Sequence, residues 1–157
     1  MGSGKTTLGR RLANKLGKPF FDLDDEIEKE SHKNISEIFE EKGEEYFRLL
    51  EKETLNNLIS NNKEFVLSVG GGTPCFYNNM DLINQHGASI YLKYNVGMLV
   101  SRLISAKAER PLIKDLNELE LTEFVEIKLA EREIFYKKSK FVVEGKNIRI
   151  NDLSDLF

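Results

Sequence analysis

Gly2-Ser3-Gly4-Lys5-Thr6-Thr7 opens the chain with residue types that handle phosphate. They form the last half of the pattern G-x-x-x-x-G-K-[ST]. In that pattern backbone N–H groups cradle phosphate oxygens, the lysine reaches the β- and γ-phosphates, and the hydroxyl binds magnesium. The glycines let the backbone turn and approach a phosphate with no Cβ in the way. The first glycine of the pattern would fall before Met1. A Gly-Ser-Gly turn also occurs by chance, but an amphipathic helix follows this one and an acidic strand end lies downstream, which favours phosphate binding.

Asp22-Leu23-Asp24 closes the next predicted strand, where side-chain alternation turns the two carboxylates the same way. Such a pair near a phosphate loop can hold magnesium through water and accept a proton from an attacking hydroxyl. Read alone, Asp24-Asp25-Glu26 fit equally well as acidic residues stabilised at a helix N-terminus. Arg48 and Glu51 lie one turn apart on a predicted helix and can share a face, although a lone pair of this kind is usually a solvated surface contact. Gly70-Gly71-Gly72 follow an apolar strand, and three flexible residues there weaken the structure unless the backbone must approach something closely. Arg110 precedes Pro111 in a stretch with no clean period, where a guanidinium could swing over a transferring phosphoryl group; in isolation a loop arginine is mostly solvent-exposed.

These residues need elements to hold them. Leu8, Leu12, Ala13 and Leu16 recur at helical spacing, so 6–16 reads as a helix stopped by Gly17. A short strand over 19–23 comes next. Helices fill 24–60, with Asn34 and Glu37 as an N-cap pair and Gly43 breaking the run before a longer helix over 44–60. The clearest buried strand is 65–69, which runs straight into the three glycines. A helix over 77–86, a strand over 88–92 and a helix over 96–105 capped by Asn95 follow. Residues 106–119 read as a long loop, a feature that is often functional inside a compact domain. A helix near 121–138 and a strand over 141–143 complete the alternation, which implies a parallel sheet covered on both faces. Chemistry in such a fold sits at the carboxyl ends of the strands, where Asp22, Asp24 and the three glycines fall.

Composition narrows the function classes. A chain of 157 residues fits one domain, 1–157, and 31% charged with 40% hydrophobic residues is ordinary for a globular protein. With a net charge of −3 there is no global basic field for nucleic acid or a polybasic membrane surface, so any anion site is local. The single cysteine, Cys75, excludes an internal disulfide framework and fits a reducing compartment; with no long apolar run the expectation is cytoplasmic. Cys75, His32 and His86 are too few and too far apart to make a zinc set.

Taken together, in order and spacing, "GSGKTTLGRRLA", "DLDDEIE", "ISEIFEEKGEEYFRLLE", "VLSVGGGTP", "ERPL" and "LAEREIFY" resemble the shikimate kinases, small P-loop kinases of the nucleoside monophosphate kinase type. The resemblance spans residues 2–136. It implies transfer of the ATP γ-phosphoryl group to a hydroxyl of shikimate, giving shikimate 3-phosphate on the way to chorismate and the aromatic amino acids. It implies ATP and shikimate as partners, Mg²⁺ as cofactor, no nucleic acid or membrane, and a monomer. Lys5, Asp24 and Arg110 would be catalytic. Gly2, Ser3, Gly4, Lys5, Thr6, Thr7 and Arg110 would bind ATP, with Arg102 at the position that stacks on adenine. Thr6 would ligate the metal and Asp22 would hold its water shell. Asp24, Arg48, Gly70, Gly71, Gly72 and Arg132 would bind the acceptor. Two guanidinium groups suit its carboxylate, and Glu51 would hold Arg48 in place. Residues 106–119 would be a lid that excludes water.

Two features depart from the family pattern. "EGKNIRINDLSDLF" does not match the usual adenine-binding stretch, and the phosphate loop lacks the strand that precedes it in the family. The implied fold is a three-layer α/β P-loop NTPase with parallel strand order 2-3-1-4-5 and strand 1 missing. Strands sit about 4.8 Å apart, so the omission would leave a gap of about 10 Å and two new edges. The reading that follows is that Met1 is an internal methionine of a longer natural chain, with a strand and a Gly-x pair upstream, and that a truncated chain would be at risk of inactivity. Competing functions are a related small-molecule kinase of gluconate kinase type and a nucleotide-binding protein without catalysis.

Overall fold

The computed structural model describes residues 2–105, Ile113 and 116–157. The chain begins with helix α1 (Lys5–Leu16), whose C-terminal cap Gly17 has φ 64°, a left-handed conformation that suits glycine. Strand β1 (Phe20–Asp22) and helix α2 (Leu23–Ser31) follow. The long α3 (Ile35–Asn61) starts at a reciprocal capping box, in which Asn34 Oδ1 accepts from Glu37 N and Glu37 Oε2 accepts from Asn34 N. Gly43, at φ 80° and ψ 174°, breaks α3 as its position suggested.

Beyond α3 come β2 (Val66–Ser68), a 3-10 turn (Thr73–Cys75), α4 (Asn79–His86) and β3 (Ile90–Lys93). Helix α5 (Val96–Ser105) takes its cap from Asn95, whose Oδ1 accepts from Met98 N at 2.9 Å. Helix α6 (Glu118–Tyr136), β4 (Phe141–Glu144) and α7 (Ile150–Ser154) close the order. Most boundaries shift by a residue or two from the sequence reading, and two departures bear on the site and its support. Helix α6 begins at 118 because Asn117 and Glu120 form a second capping box, so the loop expected over 106–119 is shorter at its C-terminal end. The C-terminal α7, not foreseen, packs on α1, with Lys15 Nζ donating to Asn151 Oδ1 at 2.6 Å.

The sequence implied a parallel sheet of order 2-3-1-4-5 with strand 1 missing, and among the described residues the strands form two parallel pairs, β1 with β2 and β3 with β4. The two pairs match the outer pairs of the order 2-3-1-4-5. Between them lies a cavity of about 720 Å³, lined by 65–69 on one side and 88–92 on the other. With no strand between β2 and β3, their inner edges have no ladder partner, and the buried hydroxyls of Ser68 and Tyr91, which line this cavity, have no hydrogen-bond partner.

The core divides the same way. Leu23, Ile27, Phe47 and Leu55 pack around the first pair, and Leu12, Leu103, Leu121 and Val125 around the second. Full burial of such side chains contributes about 2 kcal/mol each. Helix α1 touches both strands of the first pair and carries Leu12 into the second cluster, so it bridges the halves.

Candidate active site

The phosphate end of the site is shaped by backbone geometry. Gly2 and Gly4 have φ of 67° and 76°, left-handed values that strain other residues, and a Cβ on Gly2 would lie 3.1 Å from Leu99 O. Gly4 caps α1 with no side-chain hydrogen bond to the first turn, which leaves the helix N–H groups open toward an anion. Arg102 braces the loop: its Nη1 donates to Ser3 O at 3.1 Å and its guanidinium lies 4.2 Å over the Tyr94 ring. Arg102 therefore stands beside the phosphate loop, stacked on one of the chain's own aromatic rings.

Asp22 ends β1 and caps α2. Its Oδ1 accepts from Asp24 N at 3.2 Å and its Oδ2 accepts from Thr6 Oγ1 at 2.6 Å, with Lys5 Nζ at 3.8 Å. Asp22 is buried, whereas the Lys5 side chain keeps 35% of its exposure and can reach a ligand. Thr7, the next residue of α1, is exposed. Because β1 stops at Asp22, Asp24 belongs to the first turn of α2; helix geometry rather than strand alternation sets its direction. Burial raises the Asp24 pKa above the ordinary carboxylate value. The Lys5 charge lowers it in part, and Asp22, Glu51 and Asp25 raise it further.

The glycine segment meets Asp24 from the other side. A Cβ on Gly70 would lie 3.3 Å from both Asp24 Oδ1 and Glu51 Oε1, and 3.1 Å from Thr73 Oγ1. A Cβ on Gly72 would lie 2.6 Å from Arg48 Nη2, so the guanidinium occupies the space a side chain would need. Gly70 and Gly72 thus serve close approach, as the sequence reading required, and neither has a positive φ.

Arg48 is not a surface residue. Its Nη1 donates to Glu51 Oε2 at 2.8 Å, and its Nε and Nη2 each lie 3.3 Å from Glu44 Oε1. The Phe76 ring centroid lies 4.5 Å from the guanidinium carbon and that of Phe47 at 4.9 Å. Glu51 is 1% exposed, and its second oxygen accepts from Thr73 Oγ1 at 2.5 Å. A buried carboxylate with both oxygens bonded fixes Arg48 far more firmly than an exposed pair would. Arg132, on α6, acts electrostatically on Cys75 and Tyr136 at the edge of the glycine segment. Arg110 lies outside the described residues, as does most of the expected lid.

A family model described as shikimate kinase matches residues 1–155. The chain belongs to the shikimate kinase family. A shikimate kinase of Azobacteroides pseudotrichonymphae is 44% identical over 153 residues, which covers 98% of this chain and 90% of that protein. One from Flavobacterium psychrophilum is 45% identical over 144 residues, covering 91% and 84%. Among solved structures, a shikimate kinase from Bacteroides thetaiotaomicron superposes with a TM-score of 0.94 at 36% identity, covering 99% of this chain and 93% of that one. A shikimate kinase from Acinetobacter baumannii in complex with shikimate gives 0.85 at 34% identity, covering 99% and 85%.

The fold of the family is therefore that of this chain, and the sites can be compared residue by residue with the sequence reading. Gly2, Ser3, Gly4, Lys5, Thr6, Asp22 and Arg102 gather at one end, and Asp24, Arg48, Gly70 and Gly72 at the other, with Asp24 adjoining both groups. Sequence reasoning missed Thr73, Phe76 and Tyr136. Thr73 is fully buried beside the three glycines, Phe76 stacks on Arg48, and the Tyr136 hydroxyl donates to Gly71 O at 2.6 Å. Only their closeness in sequence to Gly72 and Arg132 could have pointed to them.

Proposed function

We propose that this protein transfers the γ-phosphoryl group of ATP to a hydroxyl of shikimate, giving ADP and shikimate 3-phosphate. The observation that carries this reading is the position of Asp24. Lys5 and Asp22 of the phosphate end influence it from one side, and Gly70 and Glu51 of the acceptor end meet it from the other. A group that receives a proton during phosphoryl transfer belongs at that junction.

In this reading the acceptor oxygen attacks the γ-phosphorus, the bond to the bridging oxygen of ADP breaks, and the proton of the acceptor hydroxyl passes to Asp24. Lys5 offsets charge on the phosphate oxygens, and the open N–H groups of α1 add hydrogen bonds. Arg48 and Arg132 hold the acceptor carboxylate. Glu51 keeps Arg48 in place through the hydrogen bond its carboxylate accepts from Nη1. Arg110 is assigned a phosphate contact from the sequence pattern alone.

The residues also suit Mg²⁺. The Thr6 hydroxyl and the Asp22 carboxylate are hard oxygen donors already in mutual contact, and no cluster of three or more His, Cys, Asp or Glu that could cage a metal occurs among the described residues. Thr6 would bind the ion, and Asp22 would hold its water shell. When bound with ATP, the metal neutralises phosphate charge.

The test is ADP release measured with ATP and Mg²⁺ against shikimate, gluconate and no acceptor. Shikimate is expected to turn over fastest. Faster turnover of gluconate would overturn the acceptor assignment, and ADP binding without turnover of any acceptor would leave a nucleotide-binding protein without catalysis. Among the described residues no helix is long and apolar enough to cross a membrane, and we place the protein in the cytoplasm as a monomer.

A further inference from the structure

Tyr136 ends α6, one helical turn after Arg132, and its phenol O–H donates to the carbonyl of Gly71 at 2.6 Å across 65 residues of sequence. The Arg132 charge acts on the same phenol, favouring its ionised form against the effect of burial. The ring is held independently: Tyr91 of β3 packs against it at 5.1 Å between centroids and 45° between planes. Gly71 is the middle residue of the segment whose neighbours press on Asp24 and on Arg48. Among the described residues the other donor to its carbonyl is the Cys75 thiol at 3.9 Å, a weak contact.

One hydroxyl thus joins the helix that carries Arg132 to the loop that frames Arg48 and Asp24. A directional hydrogen bond between α6 and the loop sets their register, which packing alone does not. We infer that Tyr136 is a positioning residue of the acceptor site, its O–H bond to Gly71 setting where Arg132 stands relative to Arg48. This rests on the shikimate kinase reading given above and extends it to a residue that touches no reacting atom. Burial raises the Tyr136 pKa, so the phenol stays a protonated donor through neutral pH.

Tyr136→Phe removes a single oxygen and leaves the ring and its packing on Tyr91 in place. For the whole chain, calorimetric Kd values for shikimate and for ADP, steady-state constants and the melting midpoint are to be compared between wild type and variant. The expected result is about a tenfold weaker Kd and higher KM for shikimate, equivalent to about 1.4 kcal/mol, with Kd for ADP and kcat within about twofold. A lower melting midpoint with an unchanged shikimate Kd would show a merely structural bond and overturn the inference. Equal losses for ADP and shikimate would overturn it too, because the effect would not be confined to the acceptor side. If wild-type protein binds ADP but no shikimate, the parent reading fails and this inference with it. Wild-type shikimate binding that Tyr136→Phe leaves intact refutes only the role of Tyr136.

Discussion

The two ends of the site are built in opposite ways. The phosphate loop itself comes from six contiguous residues, and its capacity lies in backbone N–H groups and two left-handed glycines, with Asp22 and Arg102 as the distant residues bonded to it. The acceptor end comes from α2, α3, the glycine segment and α6. It is held by side-chain bonds that cross up to 65 residues of sequence, such as Thr73 to Glu51 and Tyr136 to Gly71. A contiguous loop depends on few neighbours. An assembled cradle depends on every bond that sets its parts, so damage far from the chemistry should appear in acceptor binding first.

The largest expected effects test whether both ends act on one reaction. Lys5→Met removes charge compensation at the phosphates and should lower turnover about 10³-fold, while the shikimate Kd from calorimetry stays within about twofold. A comparable loss of shikimate binding would break the separation between the ends. Asp24→Asn should also lower kcat by about 10²–10³-fold, since it removes the proton acceptor; near wild-type kcat would exclude that role.

The same residue couples pH to activity and stability. The folded-state pKa of Asp24 is raised, so the ionised form needed for proton transfer is lost at a higher pH than for an ordinary aspartate, and the acid limb of kcat/KM should be displaced upward accordingly. For stability the direction is reversed. The neutral carboxyl is favoured in the folded state, a contribution that is complete at low pH and disappears as pH rises through the folded pKa. At neutral pH Asp24→Asn should therefore melt no lower than wild type, and slightly higher, by differential scanning calorimetry.

Smaller effects sharpen the picture of the acceptor end. Glu51→Gln leaves Arg48 short of its buried counter-ion and Thr73 with a weaker acceptor. It should cost about 3 kcal/mol in denaturant unfolding and raise the shikimate KM at least tenfold, with the ATP KM little changed. Phe76→Leu keeps the apolar cover but loses the ring over the guanidinium, and should raise the shikimate KM about threefold. An exposed contact such as Lys33 with Glu41 offers the contrast: Glu41→Gln should leave the denaturant midpoint and both KM values unchanged within error.

Local chemistry made much of this protein legible. The Asn34–Glu37 capping box, the break at Gly43, the Asn95 cap and the stop at Gly17 each follow from a few adjacent residues, and each is present. The start of α6 was misplaced because the Asn117–Glu120 box lies outside the apolar period that was followed. In the sequence a strand end and a helix start compete for Asp24, and the structure decides for the helix because Asp22 ends the strand and caps α2.

The sequence by itself determined the phosphate loop, because that site is made by neighbours in the chain and by backbone that only glycine permits. It also determined the family, through several short motifs in one order. Tertiary structure alone decided that Arg48 and Glu51 are buried rather than a solvated pair, that Gly70 and Gly72 are needed for close approach, and that Thr73, Phe76 and Tyr136 contact Glu51, Arg48 and Gly71. The physical reason is common to all of these. Burial, register and hydrogen bonding between distant segments depend on which surfaces meet, and a sequence pattern records the surfaces but not their meeting.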